Sequence, residues 1–359
     1  MGDHKKPAVT LQTIADELQV SKTTVSNAFN KPDQLTPELQ EKILATAKKL
    51  GYCGPDPVAR SLRSGVRGAY GLVLTESLSY MVTDPAAQQI LQGIAEVFDE
   101  RDLGLLTLPA RLDRSSVVNR VREAAVDGFI LNSLASDDPR IPSVLARNQP
   151  VVVLHSPRIP DVGYVGADDF AGGRKAAEHI VALGHRKVGI LAFPLHEDDF
   201  SGPISIDRLE TATVEPARER IRGYREVLEA NGVTWNQVLT WEAPINSGEG
   251  GALGAGRMFD RAERPTAILA ISDQLAFGAM EAARTRGLRV PQDVSIIGFD
   301  DIPYAAKTTP PLTTVRQPLR TAGALGARML LDGWDDEAPS VILPTDLIVR
   351  ASTGPATQA

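Results

Sequence analysis

Polar side chains able to read nucleic-acid bases cluster between Ser21 and Asn30. On a helix, Lys22, Thr23 and Asn27 share one outer face. An Asn side chain pairs bidentately with adenine and a Lys donates to guanine O6 and N7, so we expect this face to contact base edges in a major groove. The side chains and backbone amides around this face are suited to hydrogen-bond DNA phosphates, and such contacts fix the position of the protein along the duplex. We assign these contacts to Thr10, Leu11, Ser21, Thr24, Ser26, Asn30 and Tyr52.

Three short helices must position these side chains. Thr10 and Ser21 are expected N-caps of the first two helices, which a turn near Gln19 joins. A third helix starts at Thr36 and Pro37 and ends where Gly51 follows Leu50. The inward face of the first two helices consists of apolar residues at helical spacing: Ile14, Ala15, Leu18, Val25, Ala28 and Phe29. Residues 1–53 are therefore expected to form a helix-turn-helix head.

A short segment follows the head. Pro55, Asp56 and Pro57 precede six residues, Val58 to Arg63, that could form about two helical turns. So short a helix is unstable in isolation. We therefore expect residues 54–67 to form a hinge that orders only against a partner.

Composition and charge exclude several classes of protein. The 359 residues carry a net charge of −7, with 43% hydrophobic and 23% charged residues, which is typical of a soluble globular protein. Residues 1–66 carry +2 and the remainder −9, so phosphate contacts should be confined to the head. A single cysteine, Cys53, excludes an intrachain disulfide, and there is no apolar run typical of a signal peptide or a membrane span. We expect a cytoplasmic location.

After Arg67 the chain alternates short apolar runs with amphipathic stretches. This βα alternation predicts parallel sheets covered by helices on both faces, with ligands bound outside the carboxyl ends of the strands. The seven predicted strands are 69–74, 105–108, 128–131, 151–154, 188–191, 267–270 and 294–297.

Several motifs resemble those of the LacI/GalR family of bacterial transcription regulators, over nearly the whole chain. The motifs are Thr10-Leu11 to Ser21, Val58-Ala59 with Leu62, Leu183-Gly184-His185, Ile271-Ser272-Asp273 and Gly298-Phe299-Asp300-Asp301. The resemblance implies an effector-binding and dimerisation unit over 68–359, built as two α/β subdomains of the periplasmic-binding-protein type. We place one subdomain at about 68–163 and 300–323 and the other at about 164–299 and 324–353.

The resemblance also implies roles for individual residues. Leu62, beside Ala59, matches the hinge leucine that wedges into the minor groove and kinks the operator, although a linker leucine can instead pack on the next domain. Arg220 and Asp300 match a pair that binds an effector, and such a pair suits a hydroxyl group, which both donates and accepts. Further effector contacts are expected from Thr75, His155, Ser272 and Gln317. A structural hydrogen bond at the sheet edge is the alternative for each.

Three features depart from the family pattern or are unusual for it. Gln19 stands where the family usually has glycine, so the turn either costs on the order of 1 kcal/mol or is remodelled. Asn27 stands where many members have arginine, which prevents transfer of a known operator sequence. Residues 195–216 lengthen the loop before Arg220, and they either cover the cleft and set ligand choice or form a variable surface loop.

Enzymatic and metal-binding functions find no support in the sequence. The glycines of 248–256 do not fit a dinucleotide-binding pattern, and no phosphate-binding or nucleophile motif occurs. Consecutive residues His196 to Asp199 lack metal-ligand spacing. We expect a dimeric repressor without metal or cofactor, bound to a pseudo-palindromic operator and controlled by a sugar-like effector. A purine or other polar effector, and less plausibly a solute-binding protein, are the alternatives.

Overall fold

The computed structural model describes residues 9–52, 54, 66–108 and 114–356, with only the backbone of 114–117. Contacts within the chain divide it after Arg67 into two units, here called the head and the core unit. Among the described residues, none of the helices combines the length and the apolar character that crossing a membrane requires.

The head contains three α-helices around a small apolar centre. They are α1 (Leu11–Leu18), α2 (Lys22–Asn30) and α3 (Pro37–Leu50), with a 3₁₀ turn at Pro32–Gln34 before α3. Side-chain oxygens of Thr10, Ser21 and Thr36 accept from the backbone amides of the first turns, which confirms all three expected caps. Ile14, Val25 and Ile43 are fully buried between the helices.

The turn between α1 and α2 keeps a left-handed residue without using glycine. Gln19 has φ 54° and ψ 41°, and its amide donates to carbonyl oxygens of the last turn of α1. The turn is therefore not remodelled around Gln19. A side chain in this region costs on the order of 1 kcal/mol, which the packing of Val20 and its neighbours must offset.

The core unit contains two six-stranded sheets, both wound with helices. The first sheet has the strand order β11-β5-β4-β3-β1-β2, and all its strands are parallel. The second has the order β12-β10-β9-β8-β6-β7 and is parallel except for β12. The strands are β1 (Ala69–Leu74), β2 (Gly104–Leu108), β3 (Phe129–Asn132), β4 (Val151–Leu154), β5 (Gly163–Ala167), β6 (Val188–Ala192), β7 (Leu239–Glu242), β8 (Ala267–Ala270), β9 (Ser295–Asp300), β10 (Thr313–Arg316), β11 (Ser340–Leu343) and β12 (Asp346–Ile348).

Helices connect these strands and cover both sheets. Two short 3₁₀ helices lie at Trp235–Gln237 and Ala305–Lys307. The α-helices are α4 (Leu78–Thr83), α5 (Pro85–Glu100), α6 (Arg114–Glu123), α7 (Arg140–Leu145), α8 (Asp169–Ala182), α9 (Ile206–Glu210), α10 (Glu215–Ala230), α11 (Gly248–Phe259), α12 (Asp273–Thr285) and α13 (Leu319–Asp332).

Two of the three expected crossing points between the subdomains, here called lobes, were wrong. The first crossing follows β5, close to the expected residue 164. The second was placed near 300, but β10 pairs with β9 in the second sheet, so the chain crosses only after Arg316. The third was placed near 324, but α13 packs on the first lobe and β11 pairs with β5, so the chain returns after Leu343. Hydrophobic patterning does not reveal which sheet a strand joins, which explains both errors.

Close helix packing positions one of the expected site residues. Gly173 of α8 lies against the backbone of Arg220 in α10, and Gly223 of α10 lies against the carbonyl of Phe170. A methyl group at either glycine would overlap that backbone. The two helices therefore approach closely enough for Asp169, at the start of α8, to contact the Arg220 side chain.

Candidate functional site

The outer face of α2 presents the expected base-reading side chains to solvent. Lys22 and Thr23 are exposed, and Asn27 is partly exposed. The Asn27 amide Nδ2 donates to Gln34 Oε1 at 3.2 Å, a solvent-facing bond that another partner could replace. The arrangement leaves a cation, a hydroxyl and an amide together on one helix face, the set that direct base readout requires.

Some of the residues expected to contact phosphates cap helices, and others are buried. Ser21 Oγ accepts from the Thr24 amide at 2.9 Å, and Thr10 shares a reciprocal cap with Thr13, so both hydroxyls stabilise helix starts. Asn30 Nδ2 donates to the Ser26 carbonyl at 2.9 Å. Thr10 and Ser21 therefore mark helix N-termini, whose dipoles favour a nearby anion, whereas the Asn30 bond closes the last turn of α2.

Two expected phosphate contacts have side chains turned toward the head's interior. Leu11 is 8% exposed, so only its backbone amide could reach a phosphate. The Tyr52 ring packs edge-on against Phe29 with centroids 5.7 Å apart. The expected hinge residues Ala59 and Leu62 lie outside the described residues.

A cavity of about 500 Å³ lies between the two lobes of the core unit. Its polar lining comes from the carboxyl ends of strands in both sheets, as expected for parallel α/β architecture. Thr75 follows β1, Asn132 ends β3, His155 follows β4, Asp300 ends β9 and Gln317 follows β10. Five of the six expected effector residues line this cavity: Thr75, His155, Arg220, Asp300 and Gln317.

Arg220 is the centre of a buried ion network beside the cavity. Its Nε donates to Asp169 Oδ1 at 2.7 Å, and its Nη1 donates to the Ile271 carbonyl at 2.7 Å and lies 3.5 Å from Asp300 Oδ1. The guanidinium stacks 4.0 Å from the centroid of the Phe299 ring. Because all three charged side chains are at least nine-tenths buried, one cation balances two carboxylates away from water.

Burial changes the protonation behaviour of this network. Desolvation raises the pKa of Asp300, and Arg220 opposes that change. Desolvation also raises the pKa of Asp169. Burial, assisted by the Arg220 charge, lowers the pKa of His155 to about 4, so the imidazole is neutral near pH 7.

Three deeply buried polar atoms of the cavity lining have no hydrogen-bond partner among the described residues. They are Asn132 Oδ1, His155 Nε2 and Gln317 Oε1, whose side chains are between 5% and 8% exposed. The amide nitrogen of Gln317 is used, since it donates to Asp300 Oδ1 at 2.7 Å. A buried acceptor without a partner costs about 1–3 kcal/mol, which a bound ligand with donors would recover.

The backbone is strained at three positions around the cavity. Ser133, His155 and Asp300 have φ values of 54°, 66° and 118°, in the region that favours glycine. Each costs of order 1–3 kcal/mol and persists because the surrounding sheet ends hold it. The strain turns side chains at three strand ends, and nothing in the sequence pattern indicated it.

Ser272 does not line the cavity, contrary to the expectation. It is fully buried, caps α12 by accepting from the Leu275 amide, and donates to Asn246 Oδ1 at 2.5 Å. Its contribution reaches the cavity only through Asn246, which is a lining residue. The family resemblance was the signal for Ser272, but a hydroxyl at the start of a helix serves equally well as its cap.

Sequence reasoning missed other residues that shape the cleft. Asp169 was not expected to contact Arg220, although its Oδ1 accepts from Arg220 Nε at 2.7 Å. Asn132 was not singled out, although its place at the end of a predicted strand could have found it. Tyr80 also lines the cavity, and its hydroxyl donates to the Asn246 carbonyl at 2.9 Å.

The long loop before α10 contributes to the cavity wall. Leu195 and Val214 are its ends, and their backbones are joined by a 3.0 Å hydrogen bond. Its first residues, His196 to Asp199, line the cavity, and its middle part forms α9. Of the two readings of this loop, a position at the cleft is therefore the one that the geometry favours. Its influence on ligand choice is taken up below.

Comparisons with known proteins agree with this architecture. Residues 177–353 match a family model described as a periplasmic binding protein-like domain. An HTH-type transcriptional regulator of Mycobacterium tuberculosis is 40% identical over 359 residues, with 99% of each chain covered. The HTH-type transcriptional regulator IpsA of Corynebacterium glutamicum is 37% identical over 351 residues, covering 96% of this chain and 98% of the relative.

Solved structures are similar over almost the full length. A LacI-family transcriptional regulator from Corynebacterium glutamicum has a TM-score of 0.73 at 32% identity, covering 98% of this chain and all of that one. The regulator CelR in complex with cellobiose has a TM-score of 0.70 at 29% identity, with 96% and 100% covered. The lac repressor dimer bound to operator and an anti-inducer has a TM-score of 0.78 at 28% identity, with 96% and 99% covered.

These relatives are transcriptional regulators and not enzymes, and they share both the helical head and the two-lobed core. The chain belongs to the LacI/GalR family of bacterial transcription regulators.

Proposed function

We propose that this regulator is a repressor, that it binds a pseudo-palindromic operator as a dimer, and that a small hydroxyl-rich molecule in the interlobe cavity controls it. The observation that carries the proposal is the pairing of two sites: an exposed polar face on α2, and a buried polar cavity about 500 Å³ in volume. A DNA reader without regulation would have no use for the second site.

The polar face of α2 supports operator recognition. Lys22, Thr23 and Asn27 stand together on α2, and each of these side chains can hydrogen-bond to base edges in a major groove. The operator-bound lac repressor dimer among the similar structures is consistent with two heads on two half-sites. Within the proposal, Leu62 is the minor-groove wedge and Ala59 lies beside it in the hinge.

The cavity chemistry supports a ligand rich in hydroxyl groups. Arg220 donates, Asp300 accepts, and the acceptors on Asn132 and Gln317 require donors from the ligand. Similar regulators are known with bound cellobiose and with bound ribose. A purine remains the second candidate; one relative, at 28% identity, is the HTH-type transcriptional repressor PurR of Haemophilus influenzae.

Effector control requires a ligand that distinguishes two arrangements of the lobes. Among the described residues, hydrogen bonds that cross the cleft include those from Tyr80 Oη to the Asn246 carbonyl and from the Ser136 amide to the Thr213 carbonyl. A ligand that prefers the lobes closed or open shifts the equilibrium between the two by no more than its differential affinity. We infer that this shift alters operator affinity through the hinge.

A thermal-shift panel tests the effector half of the proposal. Glucose, galactose, ribose, cellobiose, myo-inositol, adenine and guanine are each added to the full chain, and to Gln317→Ala. We expect one of the hydroxyl-rich compounds to raise the melting temperature of the unaltered chain and to lose at least tenfold in affinity in the variant. Stabilisation by a nucleobase alone would favour the purine candidate, and stabilisation of both proteins equally would reject the cavity as the site.

Measurements of operator binding test the DNA-recognition half of the proposal. Leu62→Ala should reduce affinity for a selected palindromic duplex at least tenfold while leaving the thermal shift with ligand unchanged. Lys22→Ala should weaken discrimination at one base pair of each half-site by about 1–3 kcal/mol. Unchanged operator affinity in the Leu62 variant would reject the wedge.

A further inference from the structure

The cavity carries an excess of negative charge. Six carboxylates line it: Glu76, Asp84, Glu197, Asp198, Asp199 and Asp300. Among the described residues, Arg220 is the only Arg or Lys that lines the cavity, and its charge is already shared by Asp169 and Asp300. His155 adds no charge near neutral pH because it is buried and neutral. Among these described lining residues, a ligand meets several carboxylates and no guanidinium or ammonium group besides that of Arg220.

Half of these carboxylates come from the long loop, whose place is fixed by a buried ion pair. Arg208, in α9, donates from Nε and Nη2 to the two oxygens of Glu242 at 2.6 and 2.7 Å. Glu242 is completely buried, and its Oε1 also accepts from the Leu195 amide at 2.8 Å. The same arginine holds Asp198 with 2.8 and 3.0 Å bonds and stacks on Phe200.

The Arg208–Glu242 ion pair therefore holds the loop's acidic residues at the cleft, while the Arg208 guanidinium itself stays outside the cavity. Arg208 does not line the cavity, while Glu197, Asp198 and Asp199 do. These three side chains are exposed, so they form the mouth, and Asp84 and Asp300 lie deeper and are buried. Acidic side chains thus line the cavity from its mouth to its floor, and those at the mouth are the ones exposed to an approaching ligand.

The unpartnered polar atoms indicate which groups of a ligand fit the buried part of the cavity. Asn132 Oδ1 and Gln317 Oε1 are deeply buried acceptors. A hydroxyl group can donate to them, whereas the phosphate group of an ester, which as a dianion has only acceptors, cannot take that place. A buried anion without a cationic partner is also strongly disfavoured.

We propose that the loop between Leu195 and Val214 is a charge filter, held by the Arg208–Glu242 pair, that admits uncharged hydroxyl-rich effectors and excludes their phosphate esters. Arg208 is a positioning residue, and Glu197 and Asp199 are the specificity-determining residues. The inference rests on the proposed effector role of the cavity, but the electrostatic part can be measured without any effector.

The rates at which charged thiol reagents modify a cysteine in the cavity measure the electrostatic potential there. Cys53 is the only native cysteine, so Cys53→Ser with Ser133→Cys places a single thiol in the cavity lining. The rates of modification by a cationic and an anionic methanethiosulfonate are compared at low salt, each divided by its rate with free cysteine. Neighbouring carboxylates also raise a thiol's pKa, but this slows both reagents alike and cancels in the ratio. We expect the cationic reagent to be favoured about tenfold or more.

Matched variants assign the field to the loop. Glu197→Gln with Asp199→Asn should reduce the ratio about threefold or more, and Glu226→Gln, which neutralises a carboxylate of α10 outside the cavity lining, should leave it unchanged. Arg208→Met should reduce the ratio by releasing the loop, and Arg208→Lys should restore part of it. A merely destabilised fold would instead raise both rates together.

Ligand binding separates this inference from the proposed function. Ribose and ribose 5-phosphate, and glucose and glucose 6-phosphate, are compared by thermal shift; we expect no phosphate ester to stabilise the unaltered chain. Any of four results would overturn the filter. They are a rate ratio near one, a ratio that the loop variants do not change, no reaction with either reagent, and stabilisation of the chain by a phosphate ester. A strong cationic preference combined with no ligand from the whole panel would support the filter and reject the proposed hydroxyl-rich effector.

Discussion

The head and the interlobe cavity both depend on polar side chains, but they arrange them in opposite ways. The reading face of α2 takes its residues from one helix, and they are exposed, with apolar residues such as Val25 beneath them. The cavity takes Thr75, His155, Arg220 and Asp300 from strand ends and a helix far apart in the chain, and buries charges among them. A surface reader can change its specificity by single substitutions at small cost to stability, whereas the cavity cannot.

This contrast follows from where the polar groups of each site find their hydrogen-bond and ion-pair partners. The outer face of α2 is open to solvent, so water can satisfy its polar groups. The buried ion network must be satisfied within the fold, because a charge without a partner in the interior is costly. The buried network of the cavity consequently contributes to the stability of the core unit.

Removing the buried cation should have the largest effect. Arg220→Met leaves Asp169 and Asp300 without their counterion and should lower the free energy of unfolding of the core unit by about 3–5 kcal/mol. Arg222→Ala, on the same helix but with a side chain 48% exposed, should change it by less than about 0.5 kcal/mol. Urea denaturation of both variants measures the difference, and equal losses would contradict a buried network.

Protonation of His155 should weaken the fold in acid. Its pKa in the fold is lowered to about 4 from an ordinary value of 6.5, so the unfolded chain binds this proton more readily. The stability that the neutral imidazole contributes is fully present above pH 6.5 and is lost as the pH falls from 6.5 to about 4. The loss should approach about 3 kcal/mol.

His155→Gln should remove this part of the pH dependence. Denaturation series at pH 7 and pH 4.5 compare the variant with the unaltered chain, which retains the contributions of other buried groups. A variant whose stability falls as steeply as that of the unaltered chain over this interval would show that His155 is not the residue responsible.

Substitutions on the outer face of α2 should change operator affinity and leave the stability of the head unchanged. Asn27→Ala should cost about 1–3 kcal/mol in operator affinity, confined to one base pair of each half-site. Its melting temperature should stay within 1–2 °C of that of the unaltered chain. Binding to an operator and to its single-base variants measures the first, and a loss spread evenly over all sequences would indicate a phosphate contact instead.

The smallest effect should come from the turn of the head. Gln19→Gly removes the cost of a side chain at φ 54° and should stabilise the head by up to about 1 kcal/mol. Operator affinity should be unchanged, since Gln19 is not part of the reading face. Thermal denaturation of the head's helices measures the gain, and destabilisation would show that the Gln19 side chain makes a contact worth more than the strain.

The head could be predicted from sequence more completely than the cavity. Caps such as Thr10 and Ser21 act within one turn of a helix, so local spacing specifies them. The cavity depends on which sheet each strand joins, and the ranges that contain β10 and β11 were assigned to the wrong lobes because local sequence spacing does not specify the sheet that a strand joins. Asp169 and Asn132 reach the site only through that topology. The strained backbone at His155 is likewise a property of the assembled sheet.

Operator affinity measured with and without a cavity ligand tests most directly the claim that the cavity controls the head. A selected palindromic duplex is titrated with the full chain, alone and with the panel compound that gives the largest thermal shift, and then with Gln317→Ala. We predict that the compound changes operator affinity at least tenfold for the unaltered chain, and that the variant requires at least tenfold more compound for the same change. An operator affinity independent of a compound that demonstrably binds the cavity would contradict the account.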